Sequence, residues 1–143
     1  MKSIMSKLLA VVIFSIASFS FTAKPGGEGF EIYLNNKMMI QQYGENMNTV
    51  QSLRFDQNPL SDQITIKYHH CGKIGKNRVI TIKDGQNNVL KVFRYTDATQ
   101  PLSAMSVNVK EIRNLKKETS NSFKLYYSSS ELTAGRLLFN FSI

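Results

Sequence analysis

Apolar and polar residues alternate over short segments through most of the chain after residue 28. In QITIKYHHC the alternation puts Ile64, Ile66 and Tyr68 on one face and polar residues on the other. Side chains of an extended backbone point to opposite faces in turn, so this period of two predicts a β-strand. The same period predicts strands in FEIYLNN, KMMIQQY, RVITIKD, VLKVFRY, SFKLYYSS and GRLLFNFSI, with a less regular one in TVQSLRF.

Turn-forming residues separate these predicted strands. Asn35 and Asn36 tolerate the positive φ that a tight turn requires, and Asp84-Gly85 is a strong hairpin signal. The segment DQNPLSD, residues 56–62, predicts a longer turn. Turn signals recur at intervals of roughly ten residues, which favours an antiparallel arrangement of short strands.

Helical periodicity is confined to one segment, MSVNVKEIRNLKKETSNS. Asn108 followed three residues later by Glu111 resembles a capping box, in which the two side chains bond backbone N–H groups at the helix start. Val109, Ile112 and Leu115 form a narrow apolar stripe at helical spacing. We therefore predict a strand that turns into one short helix.

Together these elements favour an all-β fold. Seven or eight short strands separated by turns predict an antiparallel β-sandwich, immunoglobulin-like or similar, with one short helix; a small barrel is the alternative. The chain contains no tryptophan and a single cysteine, so it lacks the Cys…Trp…Cys arrangement of antibody domains. One cysteine also cannot form an internal disulfide.

The first 23 residues have the three-part pattern of a secretory signal peptide. A basic start with Lys2 and Lys7 precedes an apolar run and a short segment of small residues. The run of about a dozen apolar residues is short for a bilayer, which takes about 20, and a retained anchor is the alternative. We expect residues 1–23 to be removed and residues 24–143 to form one exported domain, periplasmic or extracellular, without a transmembrane span.

The charge of the chain narrows the choice of partner. Removing Lys2 and Lys7 leaves 16 of the 18 cations against 10 acids, a net charge of +6. In a cytosolic protein this excess would indicate nucleic acid, but the export signal argues against that partner. We expect an acidic polysaccharide, lipid headgroups or another envelope protein, and the alternative is a basic surface that only keeps the domain soluble.

The segment IKYHHCGKIGKNR, residues 66–78, contains both histidines and the single cysteine. Strand alternation puts His69 and Cys71 on the polar face and turns His70 toward the apolar face. One imidazole and one thiolate suit Cu(I) or Zn(II), although a tetrahedral site needs two further ligands. His69 and Cys71 are therefore the candidate metal ligands, and structural roles for both are the alternative.

The same segment ends in a predicted basic turn that carries Lys73, Lys76 and Arg78. The sequence CGKIGKNR lacks the four-residue glycine spacing and the Lys-Ser or Lys-Thr pair of a phosphate-binding P-loop. Exposed cations on a turn either attract an anion or are simply solvated. We take these three residues as the candidate anion-binding or partner-binding site, with solvation as the alternative.

Signals for catalysis are weak. The chain has no G-x-S-x-G elbow, and local capping beside a turn explains Ser128 and Glu131. Alternation separates His70 from Cys71, and a pair of His69 with Cys71 lacks an orienting group or oxyanion donor. We therefore expect a protein that is not an enzyme and holds no cofactor.

Three segments of the chain carry a resemblance to other proteins. GEGFEIYLNNK after the predicted signal peptide, YHHCGKIGKNR in mid-chain and LYYSSSEL near the end resemble a group of small exported β-domain proteins of Gram-negative bacteria. The resemblance covers residues 27–137. It implies an envelope or secreted β-domain and assigns no activity to any residue.

These observations predict a non-catalytic exported binding or structural module of the bacterial cell envelope. The first alternative is a periplasmic Cu/Zn-binding protein that uses His69 and Cys71, and the second is an enzyme of unrecognised type. The six tyrosines are a further indication of a surface for sugars or protein partners, because exposed tyrosines beside cations suit such contacts.

Overall fold

The structure, a computed structural model, describes residues 27–115 and 121–143. The predicted signal peptide, residues 1–23, lies outside the described residues. Within them the chain forms β1 (Gly29–Leu34), β2 (Lys37–Tyr43), a 3₁₀ helix (Gly44–Asn48), β3 (Gln51–Arg54), β4 (Gln63–His69), β5 (Val79–Asp84), β6 (Val89–Arg94), β7 (Ala104–Asn108), α1 (Val109–Arg113), β8 (Ser122–Ser129) and β9 (Leu132–Ser142).

The strands form two sheets that pack against each other. One sheet has the order β2-β1-β4-β7 and the other the order β3-β9-β8-β5-β6. Neighbouring strands are antiparallel, except that β3 runs parallel to β9. The predicted all-β sandwich with one short helix is confirmed, with nine strands in the described residues in place of seven or eight. The preceding strand, β2, lies in the other sheet, so β3 does not join its own sheet through a hairpin and can pair in parallel with β9.

The core lies between the sheets and consists of alternate side chains from both. On β4 the predicted set of Ile64, Ile66 and Tyr68 is buried, and on β5 Ile80 and Ile82 are fully buried. Burying one such aliphatic side chain contributes roughly 1.5–3 kcal/mol to stability. The same alternation buries Phe30 and Ile32 of β1 and Phe123, Leu125 and Tyr127 of β8.

Strand β9 departs from the predicted alternation. Phe139 and Phe141 are buried as expected, but Leu138 is buried beside them and Leu137 is only half-buried. The register with β8 shifts between Leu125 and Tyr126, which leaves Leu138 as the extra residue of a β-bulge. The alternation in GRLLFNFSI predicts that Leu137 shares the inner face with Phe139. This prediction is wrong, because the bulge reverses the phase of the strand.

The predicted change from strand to helix occurs at Asn108. This residue occupies the N-cap position with an extended backbone, but its side chain makes no capping hydrogen bond, so the predicted capping box is wrong. The N–H of Val109 donates instead to the carbonyl of Asp62 at 2.9 Å. Val109 and Ile112 are buried and attach the helix to the core. No helix in the described part of the chain is long and apolar enough to cross a bilayer.

Candidate functional site

The segment with both histidines and the cysteine leaves strand β4 and enters a tight turn. His70 forms an isolated bridge with Lys73, whose N–H donates to the His70 carbonyl at 3.1 Å. Cys71 and Gly72 both have left-handed backbone conformations, with φ of 52° and 85°. A non-glycine residue rarely adopts this conformation outside turns. The strand alternation therefore ends at His70, and Cys71 does not continue the outward face of β4.

His70 points into the sandwich, as the alternation predicts. Its Nε2 lies 2.9 Å from the hydroxyl of Tyr127 and 3.3 Å from that of Ser129. Its ring also packs against Tyr68, with 4.7 Å between the ring centroids. Burial lowers the pKa of His70 and outweighs the opposite effect of the Glu131 and Glu28 carboxylates. The imidazole is therefore neutral at pH 7 and links β4 to β8 by hydrogen bonds.

A polar cleft of about 230 Å³ lies at this end of the sandwich, lined by Glu28, His70, Cys71, Lys73 and Glu131. Glu28 accepts a hydrogen bond from Tyr68 and pairs with Arg136 Nη2 at 3.3 Å.

Glu131, on the other wall of the cleft, accepts the backbone N–H of Lys76 at 2.9 Å. Partial burial raises the pKa of Glu131, but hydrogen bonds to its carboxylate outweigh burial and leave that pKa below its ordinary value. Partners within the chain thus hold both carboxylates of the cleft.

The two candidate metal ligands occupy different environments. His69 Nδ1 lies 2.7 Å from the carbonyl of Gly27 and Nε2 lies 3.2 Å from the N–H of Gly72. A carbonyl only accepts, so Nδ1 carries the proton and Nε2 accepts from Gly72. A metal at Nε2 would have to displace that bond. Cys71 is exposed, and no group of three or more His, Cys, Asp or Glu side chains suited to a metal occurs among the described residues. The metal site stays a prediction.

The three predicted anion-binding cations are also dispersed. Lys73 lines the polar cleft and Lys76 is exposed on the same turn. Arg78 is only 6% exposed, and its guanidinium donates to the carbonyls of Thr96 at 3.0 Å and Ser103 at 2.9 Å. Arg78 thereby holds the connection between β6 and β7. Anion binding by the turn stays a prediction, with Lys73 and Lys76 as its accessible charges.

A larger concentration of positive charge lies on the five-stranded sheet, and sequence reasoning missed it. Strands β3, β5, β6, β8 and β9 contain six cations and one acid. The acid, Asp84, accepts hydrogen bonds from the backbone N–H groups of Gln86 and Asn88 within its own hairpin turn. Strand alternation directs four of the cations to the outer surface, which we call the cationic face: Arg54, Lys83, Arg94 and Lys124.

Two lysines of the cationic face stand directly opposite each other. Lys83 of β5 pairs in register with Lys124 of β8. Like charges in this position repel. Lys83 Nζ lies over the ring of Tyr126, 4.5 Å from its centroid, while Lys124 Nζ donates to Asn87 Oδ1 at 2.8 Å. The period of two placed these residues outward, but only the sheet order made them neighbours.

The outer face of the four-stranded sheet holds a second cluster that sequence reasoning missed. Glu31 accepts hydrogen bonds from Tyr33 at 2.7 Å, Tyr43 at 3.0 Å and Gln41 at 3.2 Å. Burial raises the pKa of Glu31, but these bonds and the Lys67 charge outweigh it and lower the pKa overall. The hydrogen bond to Glu31, together with burial, raises the pKa of Tyr33 to about 12. Burial, together with the hydrogen bond to Glu31, raises the pKa of Tyr43 to about 12. The cluster is therefore a carboxylate held by neutral phenols at physiological pH.

Comparison with known proteins adds no family to this description. No protein-family model matches the chain, and no curated protein is significantly similar to it. The resemblance to small exported proteins of Gram-negative bacteria stays a prediction. The function of this chain is therefore inferred from its own residues.

Proposed function

We propose that this protein is a non-catalytic, exported binding module of the bacterial cell envelope, and that its cationic face binds an acidic polysaccharide. The observation that carries the assignment is the pairing of Lys83 with Lys124 on a sheet face that also presents Arg94 and Arg54, the last of which pairs with Asp56 at 3.2 Å. The basic start and apolar run of residues 1–23 support export.

The spacing of the charges suits a linear polyanion. Neighbouring strands lie about 4.7–4.9 Å apart, so Lys83 and Lys124 are direct neighbours across the sheet. Arg94 pairs with Val79 and extends the charge along β5, about 13 Å from Lys83 at about 3.3 Å per residue. A polymer with a carboxylate or phosphate on successive units can contact several of these cations at once. An anionic ligand would also remove the repulsion between the two opposed lysines.

The surroundings of the lysines favour a sugar polymer over a bare anion. The ring of Tyr126 lies beneath Lys83, and aromatic rings provide flat contacts for sugars. Val89 and Val92 on the neighbouring edge strand are 58% and 41% exposed. The surface thus combines charge with apolar area.

The affinity is expected to come from many weak contacts. A single exposed ion pair contributes about 0–1 kcal/mol, and salt screens it over roughly 8 Å at physiological ionic strength. Several pairs on one rigid sheet act together, since each bound unit holds the next close to its partner. Binding should therefore weaken steeply as salt increases.

Affinity chromatography of the mature domain, residues 24–143, tests the assignment. The probe is immobilised polygalacturonate, with neutral dextran as the comparison matrix. The variant Lys83→Gln/Lys124→Gln is compared with Lys37→Gln/Lys110→Gln, which removes the same charge from two exposed lysines outside the cationic face.

The proposal expects retention on polygalacturonate alone, with elution of the Lys83/Lys124 variant at clearly lower salt than the control variant. Equal losses in both variants would show that net charge, and not this face, causes retention. Unchanged retention in both variants would show that other residues bind the polymer, and Lys73 and Lys76 would be the next candidates. A cytoplasmic protein with an uncleaved N-terminus, found by cell fractionation and N-terminal sequencing, would contradict export.

A further inference from the structure

The sandwich has a second cleft, which shares no lining residue with the polar cleft beside His70. The edge strands β2 and β3 belong to different sheets and are joined by the 3₁₀ helix. Between them lies a cleft of about 250 Å³. We call it the amide cleft, after the residues that line it: Gln41, Gln42, Asn46, Thr49 and Gln51.

Gln42 is the buried residue of the amide cleft. Its register partner Phe30 belongs to the core, so the Gln42 side chain points between the sheets, and it is only 4% exposed. Gln42 Nε2 donates to the carbonyl of Thr49 at 2.7 Å, which fixes the orientation of the amide. Gln42 Oε1 is buried, and within the described chain it has no hydrogen-bond partner.

An unpartnered buried acceptor is costly, and most such groups in folded proteins have a partner. A glutamine at the edge of a hydrophobic core therefore requires an explanation. The same position could bury an apolar side chain at no such cost. The cleft offers an explanation, because Gln42 is one of its lining residues and the other four also carry hydrogen-bonding side chains.

The chemistry of the lining defines the ligand. None of the five lining side chains is ionisable, so an ionic ligand would find no counter-charge there. Four are carboxamides, each of which both donates and accepts, and the fifth is a hydroxyl. Paired donors and acceptors match the hydroxyls of a sugar ring. Because pockets for drug-sized ligands measure roughly 300–1,000 Å³, a cleft of about 250 Å³ fits about one sugar unit.

We propose that the amide cleft binds a neutral, hydroxyl-bearing sugar unit, with Gln42 Oε1 accepting a hydrogen bond from a ligand hydroxyl. The exposed amides of Asn46 and Gln51 bind further hydroxyls, while Gln41, whose Nε2 donates to Glu31, offers its carbonyl oxygen. This site is separate from the cationic face and does not depend on it. An extended peptide is the competing ligand, but sheet edges bind peptides mainly through main-chain groups, whereas all five residues of this lining carry hydrogen-bonding side chains.

Nuclear magnetic resonance titration of the mature domain tests the proposal. The probes are three neutral trisaccharides, maltotriose, cellotriose and chitotriose, each added to millimolar concentration. The signals followed are the side-chain NH₂ groups of Gln41, Gln42, Asn46 and Gln51. The rim variant Asn46→Ala/Gln51→Ala alters two exposed side chains and leaves the core intact. Gln86→Ala is the control, since it removes an exposed amide from the β5–β6 hairpin.

The expected result is that at least one trisaccharide shifts the amide-cleft signals. Its affinity should fall at least tenfold in the rim variant, stay unchanged in Gln86→Ala and stay unchanged at 0.5 M salt. A second variant, Gln42→Met, should lose binding as well, because its side chain has similar length and no acceptor.

Several results would overturn the proposal. These are the absence of shifts with all three sugars, binding that survives unchanged in the rim variant, or cleft shifts caused by an extended pentapeptide but by no sugar. The variant Lys83→Gln/Lys124→Gln separates the two proposals. It should keep trisaccharide binding even if retention on the acidic polymer is lost. The rim variant should lose trisaccharide binding and keep its retention on the acidic polymer.

Discussion

The Nε2 atom of His70 and the hydroxyl of Tyr127 lie 2.9 Å apart and join the two sheets of the sandwich. His70 follows the last residue of β4 in one sheet, and Tyr127 belongs to β8 in the other. The phenol ring also stacks on Tyr68, with 4.3 Å between centroids. A titratable group thus takes part in the contact between the layers, so the stability of the fold depends on its protonation state.

The stability of the domain is expected to fall as the pH drops below about 6.5. Burial holds the pKa of folded His70 below 6.5, so between the two pKa values the unfolded chain binds more protons than the folded chain. The contribution of His70 is complete above pH 6.5 and is lost as the pH falls toward the folded pKa. Urea unfolding at several pH values from 5 to 7.5 measures this loss.

The variant His70→Gln isolates this effect. Gln cannot titrate, so its stability should vary less with pH over that range than that of the wild type. It should also be less stable at pH 7.5 by about 1–3 kcal/mol, the usual cost of a lost buried hydrogen bond. A wild-type stability that is flat from pH 5 to 7 would contradict the role given to His70.

The Glu31 cluster makes a prediction for alkaline pH. The hydrogen bond to Glu31 is the largest cause of the raised pKa of Tyr33, whereas burial is the largest cause for Tyr43. Replacing Glu31 with Gln should therefore move the pKa of Tyr33 from about 12 toward 10 and that of Tyr43 by less. Tyrosinate absorbance during alkaline titration measures the change, with Tyr33→Phe and Tyr43→Phe to assign the signals. Equal shifts of both phenols would contradict the assignment.

Arg78 is expected to be a structural residue. Replacing it with Ala removes two charge-assisted hydrogen bonds to backbone carbonyls, each worth about 1.5–3 kcal/mol. The matched control is Lys76→Ala, two residues away and exposed, which should change the free energy of unfolding by less than about 0.5 kcal/mol. Chemical denaturation measures both. Similar values for the two variants would show that the guanidinium contacts contribute little.

Metal titration tests the remaining alternative function. The reduced mature domain is expected to show no stoichiometric binding of Cu(I) or Zn(II) in the micromolar range, because both ring nitrogens of His69 are hydrogen-bonded. Isothermal titration calorimetry of the wild type and of His69→Ala/Cys71→Ser decides the question. Tight binding that disappears in the double variant would establish the metal site instead.

Local patterns predicted most of the strands and turns correctly. The period of two identified the buried faces of β1, β4 and β8, because alternation depends only on neighbouring residues and on burial of one side. It also predicted the inward direction of His70. It missed the bulge at Leu138 and the left-handed backbone of Cys71, since both depend on how a segment joins the rest of the fold.

Residue type alone was a poor guide to the location of the charges. Arg78, Lys73 and Lys76 are all cations on one predicted turn, so residue type alone predicts the same role for the three. The structure buries Arg78, since the carbonyls of Thr96 and Ser103 in a distant connection accept its hydrogen bonds. Conversely, Lys83 and Lys124 are 41 residues apart in the chain and oppose each other in the sheet.

The sequence by itself determined the class of fold, the strands and hairpins, the inward set of apolar residues and the excess of positive charge. These properties follow from alternation, turn chemistry and composition, all of which act over a few residues. Only the tertiary structure decided that β5 lies beside β8 and that β2 and β3 flank one opening. Strand pairing depends on contacts between distant parts of the chain, so the cationic face and the amide cleft became visible only in the assembled sandwich.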